Sequence, residues 1–153
     1  MLESLIEDRD FAKIMQKNIE SLIILLFEKE QNFGILCKIE QITFEPPLPN
    51  EISKEFKPMT LFFLAGYTFD TATIVDNNLV FEAGFGADNF GSFVTVPMLS
   101  IMQIIVDETP LLINLTNYKH DDKKQTTKAQ KGGVENSMAS FLSNPENSKF
   151  FKK

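Results

Sequence analysis

The stretch from Asn78 to Val106 has the most regular apolar pattern in the chain. Four apolar residues recur there at every second position: Leu79, Phe81, Ala83 and Phe85. This two-residue period is typical of a strand with one buried face. Turn-forming residues 86–92 follow, and a second strand is predicted over Phe93–Val96. Pro97 ends that strand, and apolar residues at helical spacing then predict a helix over Met98–Glu108.

An amphipathic helix is predicted near the amino terminus, from Asp10 to Gln31. Its apolar residues recur at three- and four-residue intervals, and Asp10 is available as the N-cap. The simplest partner for the apolar face is the protein's own sheet. However, Ile23–Phe27 is apolar nearly all round, and such a stripe needs cover on both sides. The helix Phe11–Phe27 is therefore also a candidate for sharing with a second subunit in a homodimer.

The remaining apolar runs predict strands separated by turns. Four are expected, at Ile35–Phe44, Met59–Ala65, Thr71–Val75 and Leu111–Leu115. Met59–Ala65 is almost continuously apolar, which predicts burial on both faces. Four prolines make Glu45–Pro58 a long connecting loop, and Asp76–Asn78 forms a tight turn. The fold class is thus α+β and mostly β.

Hydrophobicity divides the chain into two parts. Residues 1–118 have enough apolar residues for one domain. Residues 119–153 are lysine-rich and cannot bury enough apolar surface to offset their ordering entropy, so they predict a flexible tail. Apolar residues reappear at its end, where a short docking motif is one interpretation and an inert terminus the other. The candidate docking residues are Phe150, Phe151, Lys152 and Lys153.

Charge follows the same division. Residues 1–118 carry seven Lys or Arg and seventeen Asp or Glu, a net of −10, whereas residues 119–153 carry eight Lys and four acidic residues, a net of +4. The body would repel a phosphate backbone, so nucleic-acid binding is not expected. The acidic amino terminus, the lone Cys37 and the absence of a membrane-length apolar run favour a cytoplasmic protein.

No residue pattern indicates an enzyme. With one cysteine and one histidine, the chain supplies neither a disulfide framework nor a Cys/His zinc site, and we expect no cofactor and no metal. Gly84, Gly86 and Gly91 lack the lysine and helix of a phosphate loop and fit a hairpin better. Acidic residues close to Glu82 are more simply explained by turn capping than by a metal site. A catalytic cleft shared across a dimer is the weakest alternative.

Four segments stand in a characteristic order: TLFFLA (Thr60–Ala65), TATIVDNN (Thr71–Asn78), LVFEAGFGA (Leu79–Ala87) and FVTVP (Phe93–Pro97). With them, residues 59–106 resemble the peptide-binding domain of the stringent starvation protein B family, bacterial adaptors that deliver ssrA-tagged proteins to the ClpXP protease. The family's pattern continues from V-x-V-P into a helix, which the predicted helix Met98–Glu108 matches, and the preceding helix and strand also fall in the family's order. The loop Glu45–Pro58 is longer than in the family, and the FFKK end differs from the family's usual docking end.

The resemblance implies a small, partly open Sm-like barrel that binds an extended degradation tag in a groove. Four small residues, Ala83, Gly84, Gly86 and Ala87, would form the groove floor, with Ala65, Phe81 and Phe85 as walls or as support from beneath. The strand period offers the alternative that Phe81 and Phe85 are core residues, which is the simpler interpretation for Phe81. The candidate peptide-binding residues are Ala65, Phe81, Ala83, Gly84, Phe85, Gly86 and Ala87. The resemblance also implies a dimer through the amino-terminal helix and an AAA+ unfoldase of the ClpX type as partner.

A secretion-type chaperone is the competing hypothesis. An acidic body of small size with an amphipathic helix also suits a dimer that holds an unfolded partner segment. This function would not require the segment 119–153, whereas an adaptor needs a tether to its protease.

Overall fold

The computed structural model describes residues 1–118, which form a mixed α+β structure with more residues in strands than in helices. The helices are α1 (Leu2–Ile6), α2 (Arg9–Glu28), α3 (Asn50–Ser53) and α4 (Tyr67–Asp70). The strands are β1 (Phe33–Lys38), β2 (Thr43–Glu45), β3 (Met59–Leu64), β4 (Thr73–Val75), β5 (Asn78–Phe85), β6 (Phe90–Pro97), β7 (Ile101–Val106) and β8 (Thr109–Ile113). The predicted tail and its docking residues Phe150–Lys153 lie outside the described residues.

The eight strands form two antiparallel four-stranded sheets. The first sheet has the order β3-β1-β7-β8 and the second β2-β6-β5-β4, and the described residues form no closed barrel. Two short 3-10 helices, Ile39–Gln41 and Met98–Ser100, carry the chain from one sheet to the other. The first of them interrupts the single strand predicted over Ile35–Phe44, which is therefore two strands in different sheets.

Two tight hairpins build the second sheet. Asp76 and Asn77 both have positive φ, 49° and 67°, as a two-residue hairpin turn between β4 and β5 requires. The turn between β5 and β6 is shorter than the predicted 86–92, because Phe90 already pairs with Phe85. Gly86 has a φ of 76° in this turn, which suits glycine.

The core lies between the two sheets and α2. The helix buries Ala12, Ile19, Ile23 and Leu26. The last three pack with the inward residues of both sheets. Its N-cap is Asp8 and not the predicted Asp10: the Asp8 carboxylate accepts hydrogen bonds from the backbone N–H groups of Asp10 and Phe11, at 2.7 and 3.0 Å. Three apolar residues of the helix stay exposed: Ile14, Ile24 and Leu25.

The prediction of a helix over Met98–Glu108 is wrong. After one 3-10 turn the chain enters β7, which lies in the middle of the first sheet and pairs with β1 and β8. The segment is rich in β-branched residues, which favour a pleated surface, and its two neighbours satisfy the backbone on both sides. Asp107 and Glu108, with φ of 51° and 66°, close a hairpin to β8.

Burial of Met59–Ala65 on both faces is also contradicted. β3 is an edge strand whose residues Phe62 and Leu64 are buried, whereas Leu61 and Phe63 are 42% and 64% exposed. The apolar residues of β3 therefore occupy both faces of the strand, of which one faces the core and the other is exposed. The loop Glu45–Pro58 contains the short helix α3.

Candidate functional site

An open groove lies over the β5–β6 hairpin, between helix α4 and the segment that follows β2. Its volume is about 590 Å³, within the range of roughly 300–1,000 Å³ that is typical of ligand pockets. The lining residues are Glu45, Pro46, Ala65, Tyr67, Thr68, Glu82, Ala83, Gly84, Asn89, Gly91, Ser92 and Phe93. Five of these twelve residues are small, namely Ala65, Ala83, Gly84, Gly91 and Ser92, which permits close approach of a ligand.

Three of the seven predicted site residues meet in this groove: Ala65, Ala83 and Gly84. Gly84 is exposed, whereas Ala83 is only 9% exposed because it shares the core face of β5 with Phe81. Ala65 directly follows β3 of the first sheet. The fold therefore brings it into one groove with Ala83 and Gly84, which are 18 and 19 positions later in the sequence. Gly86 and Ala87 lie in the hairpin turn and do not line the groove.

Phe81 and Phe85 lie beneath the hairpin and not in the groove. Phe81 is 1% exposed, and its ring centroid is 5.9 Å from that of Phe62. Phe85 packs edge-on against Phe44 and Phe56, with centroid distances of 5.6 and 6.0 Å. Phe81 is thus a core residue, as the strand period favoured, and Phe85 packs against the core beneath the hairpin.

Beyond its pairing with β4, strand β5 presents an open backbone edge to the groove. β4 pairs with β5 only from Asn78 to Val80, and the backbone N–H of Glu82 donates to Thr71 Oγ1 at 2.9 Å. Backbone groups two residues apart on a strand point to the same side. The N–H and C=O of Gly84 therefore point toward this edge, where no strand of residues 1–118 is paired with them.

Helix α4 forms one wall and is held in place by hydroxyl groups. Thr68 Oγ1 accepts a hydrogen bond from the N–H of Ala65 at 2.9 Å and lies 2.8 Å from the carbonyl oxygen of Phe63, to which it donates. The Tyr67 hydroxyl donates to a carboxylate oxygen of Glu82 on the facing strand. This hydrogen bond, with desolvation and the Glu82 charge, raises the pKa of Tyr67 above its ordinary value.

The opposite side is formed by β6 and the start of the proline-rich segment. Ser92 Oγ donates to the carbonyl oxygen of Pro46 at 2.9 Å, which fixes this segment against the sheet. Gly91 faces Gly84 across the β5–β6 ladder, and a Cβ at Gly91 would meet nothing within 4 Å. At Gly84 a Cβ would overlap the Asn89 side-chain amide, which covers that glycine.

Most of the other lining residues were not predicted from the sequence. Gly91 and Phe93 could have been found from the hairpin register, since Gly84 faces Gly91 and Glu82 faces Phe93 once Phe85 is paired with Phe90. Tyr67 and Pro46 had no such signal, because their positions depend on how distant segments pack against the hairpin.

Other chemistry is sparse in the part of the chain that the structure describes. Residues 1–118 contain no group of His, Cys, Asp or Glu side chains arranged to hold a metal ion. Burial raises the pKa of the Cys37 thiol well above its ordinary value, which disfavours the reactive thiolate. None of the helices in this range has the length and apolar character needed to cross a membrane.

Comparisons with protein-family models, curated proteins and solved structures found no match for this chain.

Proposed function

We propose that this protein is a peptide-binding adaptor that captures degradation tags and delivers their carriers to an AAA+ protease of the ClpXP type. The observation that carries the proposal is the open edge of β5 at Gly84, which borders a groove lined in part by small residues. An extended peptide can add to such an edge through main-chain hydrogen bonds, while its side chains enter the space beside it. Gly91, where a Cβ would meet nothing within 4 Å, leaves room for that backbone.

The resemblance of the segments from Thr60 to Pro97 to the stringent starvation protein B family supports the delivery role and an Sm-like identity for the two-sheet domain, although strand β7 stands where the family's pattern has a helix. We extend the proposal to a cytoplasmic homodimer formed through α2, whose exposed Ile14, Ile24 and Leu25 need cover. The backbone N–H of Asn117 donates to the carbonyl oxygen of Ile6, so the last described residues lie beside the amino-terminal helices. Two copies of the segment 119–153 engaging one ring-shaped unfoldase would raise the effective concentration of the bound tag.

Substitution of Gly91 tests the groove. Gly91→Gln adds a long side chain at a position where a Cβ would meet nothing within 4 Å and where the backbone angles are ordinary. We expect the full-length variant to bind a synthetic ssrA-type peptide about tenfold or more weakly than wild type, because the side chain fills a central part of the site. Isothermal titration calorimetry measures the affinity.

Gly91→Ala is the matched control, since one methyl group should leave affinity close to wild type. Thermal unfolding of each variant establishes that the domain is intact. Equal peptide affinity for wild type and Gly91→Gln, or no binding by wild type, would contradict the proposal.

An uncovered apolar face supports the secretion-type chaperone as a second candidate. Leu61 and Ile113 lie in one row across the outer face of the first sheet, with Phe63 close by, and the three are 42%, 54% and 64% exposed. A partner segment held on this face would be insensitive to Gly91→Gln but would bind more weakly to Phe63→Ser. The two variants therefore separate the two functions.

A further inference from the structure

An aromatic ring lies between two carboxylates on the groove side of the second sheet. Glu45 pairs with Phe93 across β2 and β6, and Phe93 pairs with Glu82 across β6 and β5. Directly paired residues point to the same face of a sheet. The backbones of Glu45 and Glu82 are thus about 10 Å apart, two strand spacings, with Phe93 between them.

The groove has negative charge without a compensating cation. Its lining includes the carboxylates of Glu45 and Glu82 but no lysine, arginine or histidine. Residues 1–118 together carry a net charge of −10. Because charge complementarity favours ligands of opposite sign, this groove selects against acidic ligand side chains and in favour of basic ones.

We propose that the groove recognises an extended peptide by one basic side chain, arginine or lysine, whose charged end lies over Phe93 between Glu45 and Glu82. This inference rests on the proposed peptide-binding function and adds the chemistry of the preferred ligand. A cation over an aromatic ring is attracted by the negative face of the ring, and the flanking carboxylates accept its hydrogen bonds.

Two neighbouring features suit this position. Gly91 lies two residues before Phe93, on the same face of β6, and the open space above it accommodates the aliphatic stem of the basic side chain. The Tyr67 hydroxyl donates to Glu82 and so holds that carboxylate at the groove before a ligand arrives. Arginine fits best, because its planar guanidinium can stack on Phe93 and donate to both sides.

A positional peptide library tests the inference with the full-length protein. Each position of an extended decapeptide is fixed in turn as arginine or as citrulline, its neutral analogue, and binding is measured by fluorescence polarisation. We expect one position at which arginine binds about tenfold more tightly than citrulline. In Glu45→Gln/Glu82→Gln this preference should fall to about twofold or less.

Glu28→Gln/Glu40→Gln is the matched control, because it removes the same charge from exposed residues outside the groove. This control variant should keep the arginine preference. If both double variants lose the arginine preference equally, the preference reflects general attraction by an acidic surface, and the inference is overturned. Peptide binding that Gly91→Gln weakens, but with no arginine preference at any position, would overturn the inference and leave the adaptor proposal standing. Absence of binding by every peptide would overturn both.

The lysine-rich segment 119–153 of the same chain is a competing occupant. If the arginine preference appears only in a full-length variant with its eight lysines changed to glutamine, that segment fills the groove in the wild type. This outcome would overturn recognition of a separate basic peptide by the wild-type protein.

Discussion

Glu82 is the residue at which the two halves of the groove meet. Its backbone N–H donates to Thr71, and its side chain accepts from Tyr67, so one residue of β5 fixes both ends of α4. The sequence placed Glu82 on a strand near acidic turn residues, which was consistent with a surface position. Its contacts with α4 could not be predicted, because they depend on the path of the chain between β3 and β4.

The Tyr67–Glu82 hydrogen bond predicts an abnormal tyrosine titration. The neutral phenol is stabilised as a donor and the phenolate is disfavoured by the Glu82 charge, so the pKa of Tyr67 lies above its ordinary value. Glu82→Gln removes that charge, and we expect the pKa to fall toward the ordinary value. The measurement is an ultraviolet absorbance titration of phenolate formation in a Tyr118→Phe background, which leaves Tyr67 as the remaining tyrosine.

Glu51→Gln, on α3 and outside the groove, is the control and should leave the Tyr67 titration unchanged. An identical Tyr67 pKa with and without the Glu82 carboxylate would contradict the hydrogen bond.

At the scale of elements, the sequence predicted those segments whose signal is local. The β5 strand, the Asp76–Asn77 turn and α2 are confirmed, since alternation, positive-φ turn residues and helical spacing each act within a few residues. The segment Ile101–Val106 was predicted wrongly, because its apolar spacing fits a helix while its central place in the first sheet makes it a strand. Pairing with β1 and β8 determines the secondary structure of this segment.

The capping of α2 gives a test at this scale. Asp8 satisfies two backbone N–H groups of the first turn, so Asp8→Ala should lower the free energy of unfolding by about 1 kcal/mol. Chemical denaturation of the full-length protein measures this change.

Asp10→Ala is an informative control, because Asp10 lies in the first turn but its side chain is not the cap. It should have the smaller effect, through loss of favourable charge at the helix amino terminus. If Asp10→Ala destabilises the protein more than Asp8→Ala, the assignment of the cap is wrong.

At the scale of the whole molecule, the groove depends on the corners where the chain changes sheet, of which there are four between β1 and β7. The 3-10 helices Ile39–Gln41 and Met98–Ser100 make two of these crossings, and α4 lies in the crossing from β3 to β4, which brings Ala65 into the same groove as Gly84 of β5. Ala65 and Gly84 were both predicted as site residues from the sequence, but their proximity in the fold was not. Short-range periodicity carries no information about such corners, which are set by packing of the entire core.

Amide hydrogen exchange at Gly84 is the most direct test of the central claim, that a peptide adds to the open edge of β5. Nuclear magnetic resonance spectra of the full-length protein are recorded with and without saturating ssrA-type peptide. The account predicts that the Gly84 amide becomes protected on binding, because its N–H gains a main-chain acceptor, while the Asn89 amide, which already donates within the hairpin turn, changes little. A peptide that binds and leaves exchange at Gly84 unchanged would contradict it.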